Sequence, residues 1–125
     1  MAKFNYKMQN ILNVKINLET QAKSAFAEAS EKLRIEEVKL ERIYADIKGY
    51  EEHIRQINQS RLDILELSRC NKAISLKQDE AKLQQKVIQK AEKNLELARV
   101  KLSKVMIERK TQEKLKERAF EEFLK

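Results

Sequence analysis

A single Gly, Gly49, and no Pro in 125 residues leave almost nothing in this chain to stop a helix once it has begun. Pro removes an amide donor and Gly raises the entropy cost of order, so a domain of many short elements places several of them at its turns. With so few breakers the backbone is expected to run as long helix, and the informative question is where it breaks. The strongest interruption is Ile57-Asn58-Gln59-Ser60, close to the middle of the chain.

Composition agrees with that expectation and limits the core. Charged residues make up 38% of the chain, and Ala, Leu, Glu, Lys, Gln and Arg dominate it, as in coiled coils. With aromatics at 6% and no Trp, the core is expected to be a narrow seam within one coiled-coil domain. Cys70 is the only cysteine, which excludes an internal disulfide; its place in the apolar row predicts a small buried side chain, as suits a reducing cytoplasm. No run approaches the roughly 18 apolar residues of a membrane span. Residues 1–18 hold Lys3, Lys7 and Lys15 and no acid, a pattern shared with targeting peptides and membrane-surface helices. The uncharged run Met8–Val14 includes Gln9, Asn10 and Asn13, too polar for a signal-peptide core, so the segment reads as the first turns of the helical rod.

Apolar spacing gives the seam. Leu40, Ile43, Ile47, Tyr50, Ile54 and Ile57 follow alternating steps of three and four, the rhythm that keeps one helix face on a partner helix. Upstream, Phe4, Met8, Ile11, Lys15, Leu18, Ala22, Ala25 and Ala29 keep the same rhythm. The two stretches join through Leu33 and Glu36 with one residue too many, which predicts a stutter. In the second half the row is Leu67, Cys70, Ile74, Lys77, Ala81, Gln84, Ile88, Ala91, Leu95, Ala98, Leu102 and Val105. Lys77 and Gln84 are polar seam positions, which weaken a pair but fix its alignment. Past Val105 the row meets Arg109, Gln112 and Lys116 before Ala119 and Phe123, so it loosens toward the C-terminus.

Between the halves, Ser60 followed by Asp63 resembles a capping box, and Asn58 suits a left-handed helix end. The expected architecture is all-α: a long antiparallel two-helix coiled-coil hairpin, with helix one at about residues 3–57, a turn at about 58–60 and helix two at about 61–124. The alternative is one unbroken helix in a parallel dimer; the monomeric hairpin is preferred to the homodimer. A second apolar row, Leu62, Leu76, Leu83 and Leu97 with Val87 beside it, lies off the seam. Single exposed leucines are ordinary, but four in one row of a two-helix hairpin suggest a partner surface.

The chemistry of an enzyme is missing. One Gly excludes a phosphate-cradling loop, and one His and one Cys exclude a zinc site, so no catalytic, cofactor or metal residues are expected. His53 reads as a helix-surface residue. Pairs such as Glu36-Glu37 and Glu51-Glu52 point to different helix faces, which leaves neither as an acid–base couple. The net charge of +7 comes almost wholly from residues 61–125, which hold 17 basic against 11 acidic side chains. Acids dilute the bases throughout and no aromatic platform accompanies them, so a solvated face is favoured and nucleic-acid binding is not.

At its two ends the chain is less generic. Met1–Lys15, MAKFNYKMQNILNVK, resembles the aromatic and basic opening of the flagellar FliJ family, which leads into an "L..vL..k" pattern. Glu108–Arg118, ERKTQEKLKER, is similar to that family's "ERK..EKL.EK" segment. The resemblance implies a two-helix coiled coil of the flagellar type III export apparatus, similar to the central stalk of rotary ATPases. It implies further that the end carrying both termini enters the hexameric export ATPase, promotes its assembly and activity, and links it to the membrane export gate. An export-chaperone or chaperone-escort role is the alternative, and a generic structural dimerising coiled coil a third. Carried onto this sequence, Phe4, Ile11, Leu18, Glu108, Arg109, Lys110, Glu113, Lys114, Leu115 and Glu117 fall at the ATPase end. Leu76 and Leu83 fall in the zone expected to touch the gate or another partner, although neighbouring Lys72 and Asp79 lack the apolar or small character expected at such a contact. The implied location is cytoplasmic, peripheral to the membrane at the flagellar basal body. Family members usually continue past the "EKL.E" segment with more acidic helix, whereas this sequence stops at Phe123-Leu124-Lys125.

Overall fold

The computed structural model describes residues 3–60 and 63–125, apart from the side chains of Gln59 and Ser60, and forms a helical hairpin. Helix α1 spans Gln9–Ser60 and helix α2 spans Ile64–Leu124, the two packed on each other with no strand among the described residues. Contacts group into two compact units, one of Met1–Ser30 with Asn94–Lys125 and one of Glu31–Lys93. They are called here the terminal unit and the hairpin unit.

Helix α1 begins later and ends later than the spacing predicts. Residues 3–8 are not helical; the Gln9 amide donates to the Tyr6 carbonyl at 3.1 Å, and the Ile11 and Leu12 amides donate to Met8 at 3.0 and 3.1 Å. The orphan amides of the first turn thus find backbone partners rather than a side-chain cap. At the far end α1 continues through Asn58 to Ser60, and no described residue has a positive φ, so Asn58 does not close the helix in a left-handed conformation. The cap of α2 is Asp63, three residues after the expected Ser60. Its Oδ1 accepts from the Leu65 amide at 3.1 Å and the Glu66 amide at 3.3 Å. A carboxylate there satisfies two orphan donors and also sits at the positive end of the helix dipole. Arg61 and Leu62, the latter expected in the second apolar row, lie outside the described residues.

The seam of the hairpin unit follows the predicted register on both helices. Ile43, Ile47, Ile57, Cys70, Ala81 and Ile88 are buried, with Leu40 and Ile74 packed against the Ile43–Ile47–Ala81 cluster. The polar seam positions are paired across it: Gln84 Nε2 donates to the Glu36 carbonyl at 2.9 Å and to its Oε2 at 2.6 Å, and Lys77 reaches Asp46 at 3.2 Å, with Glu80 of its own helix at 3.4 Å. The Gln84 hydrogen bond holds the Glu36 carboxyl below its usual range against the cost of burial, and the Asp46 contact raises the Lys77 ammonium. Going up α1 from Glu36 to Asp46, the partner steps down α2 from Gln84 to Lys77, which makes the pairing antiparallel.

In the terminal unit α2 again keeps its predicted register, through Leu102, Val105, Arg109, Gln112, Lys116 and Ala119. Helix α1 does not. The residues it turns inward are Leu12, Lys15, Glu19, Ala22, Phe26 and Ala29, while Ile11, Leu18 and Ala25 are exposed. From Leu12 through Leu33, Glu36 and Leu40 to Ile57, the inward positions of α1 keep steps of three and four without interruption, so there is no stutter. The expected extra residue disappears because Glu19, not Leu18, is the one turned inward. Glu19 is buried at 7% exposure because a partner on α2 meets it.

Candidate functional site

That partner is Arg109. Its Nε donates to Glu19 Oε2 at 2.5 Å and its Nη2 to Oε1 at 3.4 Å, a two-point engagement between helices in the terminal unit. Each member also holds a neighbour one turn away on its own helix: Arg109 Nη1 donates to Glu113 at 2.8 Å, and Lys23 lies 3.3 Å from Glu19. The Arg109 hydrogen bond holds the Glu19 carboxyl below its ordinary value of 4.5, outweighing the desolvation that pushes it up. Glu19, then Glu113, raise the Arg109 guanidinium in turn. Lys15 and Glu108, 3.1 Å apart, form a second cross-helix pair. The two stretches of family-like sequence, Met1–Lys15 and Glu108–Arg118, therefore lie in one compact unit, bonded directly through Lys15 and Glu108.

Ahead of α1, the Phe4 ring folds onto the last turns of α2, with ring centroids 5.1 Å from Phe120 and 5.5 Å from Phe123. The three rings tie the non-helical N-terminal segment to α2. The Tyr6 hydroxyl and Gln112 Oε1 are buried without a hydrogen-bond partner in the same unit.

The residues expected at the ATPase end divide by what they touch. Phe4, Glu108, Arg109 and Glu113 are engaged in the ring cluster and the ion pairs just described. Ile11, Leu18 and Leu115 are exposed at 42%, 37% and 41%, and Lys110, Lys114 and Glu117 are exposed with them. Val14, at 54%, extends the exposed row Ile11–Val14–Leu18 and was not singled out from the sequence. Local spacing offers a signal for it: 11, 14 and 18 keep the same three-and-four rhythm as the seam one residue away.

In the hairpin unit Leu76 and Leu83 are exposed at 70% and 64%, with Val87 beside them. Leu97, of the same predicted row, is exposed within the terminal unit. An open groove near the turn is lined by Ala45, Gly49, Ala73 and Cys70 and bordered by His53, whose Nε2 lies 2.7 Å from Glu66 Oε1. Both members of that pair face solvent, an arrangement that serves as a helix-to-helix tie. Among the described residues no group of three or more His, Cys, Asp or Glu is disposed to hold a metal ion, and no helix is long and apolar enough to cross a membrane.

No curated protein and no solved structure gives a significant match to this chain. A family model does, over residues 4–125, and its description is Flagellar FliJ protein. That match runs through both end segments, both helices and the turn; the chain belongs to the flagellar FliJ family and is a component of the flagellar protein export apparatus.

Proposed function

We propose that this chain is a non-enzymatic stalk of the export apparatus: its terminal unit enters the hexameric export ATPase and promotes ring assembly and turnover, and its hairpin unit contacts the membrane export gate. The chain then works on the cytoplasmic side, peripheral to the membrane at the basal body, as a monomeric hairpin. The observation that carries this reading is the joining of both family-like segments in one compact unit by the Lys15–Glu108 contact. An axle inside a ring needs a shaft cross-braced between its helices, and the Glu19–Arg109 and Lys15–Glu108 pairs supply such braces. It also needs an outer surface for the ring, for which Ile11, Val14, Leu18, Lys110, Lys114, Leu115 and Glu117 are exposed. The test is addition of the chain in stoichiometric amounts to the purified export ATPase. Oligomerisation and turnover should both rise; no change in either means the stalk reading is wrong.

The second reading, an export chaperone or escort tether, is favoured by the exposure of Leu76 and Leu83. Changing Leu76→Asp and Leu83→Asp together separates the two. Loss of gate or chaperone binding with ATPase stimulation intact assigns the row to tethering; unchanged binding removes it from both readings.

A further inference from the structure

The first turns of α1 carry two seams, and only one is in use. Positions Lys15, Ala22 and Ala29 recur every seven residues. Leu12, Glu19 and Phe26 complete a heptad seam with them on one side; Ile11, Leu18 and Ala25 complete an equally regular one on the other. The structure uses the first set, burying Leu12 and Glu19 and half-burying Phe26. The unused set is wholly apolar, yet Ile11 and Leu18 face solvent. A buried acid has displaced an available leucine from the seam, the reverse of what burial alone selects. The feature that tips the choice is Arg109, which engages Glu19 at two points.

We propose that the terminal unit is a two-state register switch latched by the Glu19–Arg109 pair. In the second state, α1 in this unit is rotated by about 50° about its axis, on a helix of 100° per residue. The rotation exchanges Leu12, Glu19 and Phe26 for Ile11, Leu18 and Ala25 and leaves Lys15, Ala22 and Ala29 facing α2. Opening the latch strands neither charge. Glu19 keeps Lys23 at 3.3 Å on its own helix, and Arg109 keeps Glu113 at 2.8 Å. The small residues Ala22 and Ala29 near the pivot, with Ala98 in the facing row, oppose rotation little. The two states present different apolar rows to the outside: Ile11–Val14–Leu18 in the latched state, and Leu12 with Phe26 in the other. A ligand that grips one row then biases the register in proportion to its preference for that state. The proposal goes beyond the stalk reading and does not require it.

The test reads the register by thiol labelling in a Cys70→Ala background, with Ile11→Cys or Leu12→Cys as the single thiol and N-ethylmaleimide as the probe. With Arg109 in place, the Ile11→Cys thiol should label faster than the Leu12→Cys thiol. Arg109→Leu leaves the Glu19 carboxylate without its cross-helix partner, and the order should reverse, the rate ratio moving by about tenfold or more. The double change Glu19→Leu with Arg109→Leu makes the latched seam apolar and should restore the original order. A reversal in the single variant with restoration in the double supports the switch. An unchanged order in the single variant, or both thiols labelling faster together because the unit simply frays, overturns it.

Discussion

The hairpin unit and the terminal unit are built from the same two helices and the same heptad rhythm, but they hold together differently. In the hairpin unit the inward positions of α1 are apolar or aromatic from Leu40 to Ile57, with Ile43, Ile47, Ile54 and Ile57 among them, and the polar intrusions Lys77 and Gln84 each find an acid on the facing helix. In the terminal unit the inward row of α1 includes Lys15 and Glu19, the facing row includes Arg109, Gln112 and Lys116, and apolar side chains stand outside at Ile11, Val14 and Leu18. Burial stabilises without regard to direction, whereas paired charges fix one alignment and add less to stability. One unit is thus organised for strength and the other for specificity, with its spare apolar surface turned outward.

That contrast sets the order of expected effects. Ile43→Ala removes a buried side chain from the apolar cluster and should cost about 2–4 kcal/mol in denaturant unfolding followed by circular dichroism. A loss well under about 1 kcal/mol would mean the hairpin unit does not depend on its apolar seam. Acid should find the terminal unit first. The Glu19 carboxyl titrates below its ordinary 4.5 when folded, so its contribution is complete above that value and is lost as pH falls through the lower folded one. Glu36 is lowered too, in the hairpin unit, but there the apolar seam remains after it protonates. Hydrogen exchange on stepping pH down through about 4.5 should accelerate in residues 9–29 before residues 40–57. Simultaneous acceleration would erase the distinction between the units.

Smaller effects sharpen the comparison within the hairpin unit. Asp63→Ala should lower stability by about 1 kcal/mol through loss of the α2 cap, read as a shifted denaturant midpoint with unchanged slope. Gly49→Ala should raise it by roughly 0.5–1 kcal/mol, since an added Cβ meets nothing within 4 Å and the position is ordinary helix. The smallest change belongs to Leu76→Asp with Leu83→Asp, which should leave the midpoint within about 0.5 kcal/mol per substitution because both side chains are exposed. A larger loss would show that this row packs against something within the chain.

The same contrast explains how far the sequence could be read. The whole inward row of α2 from Leu67 to Ala119 was legible, as was α1 from Leu33 to Ile57, because long strict periodicity leaves one choice of face. Reading failed between Ile11 and Ala25, where two faces are periodic and the more apolar one is not the one buried. What decides there is Arg109, 90 residues away in the chain, and no local window contains it. The turn misled for a different reason. Ser60 and Asp63 are both good caps by type, and only the run of α1 through Ser60 leaves the role to Asp63. The exposed row at Leu76 and Leu83 was visible as spacing, but spacing carries no information about what covers it.

Cys70 has a practical consequence. It is the chain's one thiol and is closed into the seam of the hairpin unit at 6% exposure. The unaltered protein therefore contains its own clock for the parting of its helices. The rate at which an alkylating reagent reaches Cys70 counts the openings of that unit, with no foreign label and no competing site elsewhere in the sequence. Run beside the export ATPase of the proposed stalk reading during ATP turnover, that clock would tell a hairpin that stays zipped from one that breathes with each cycle.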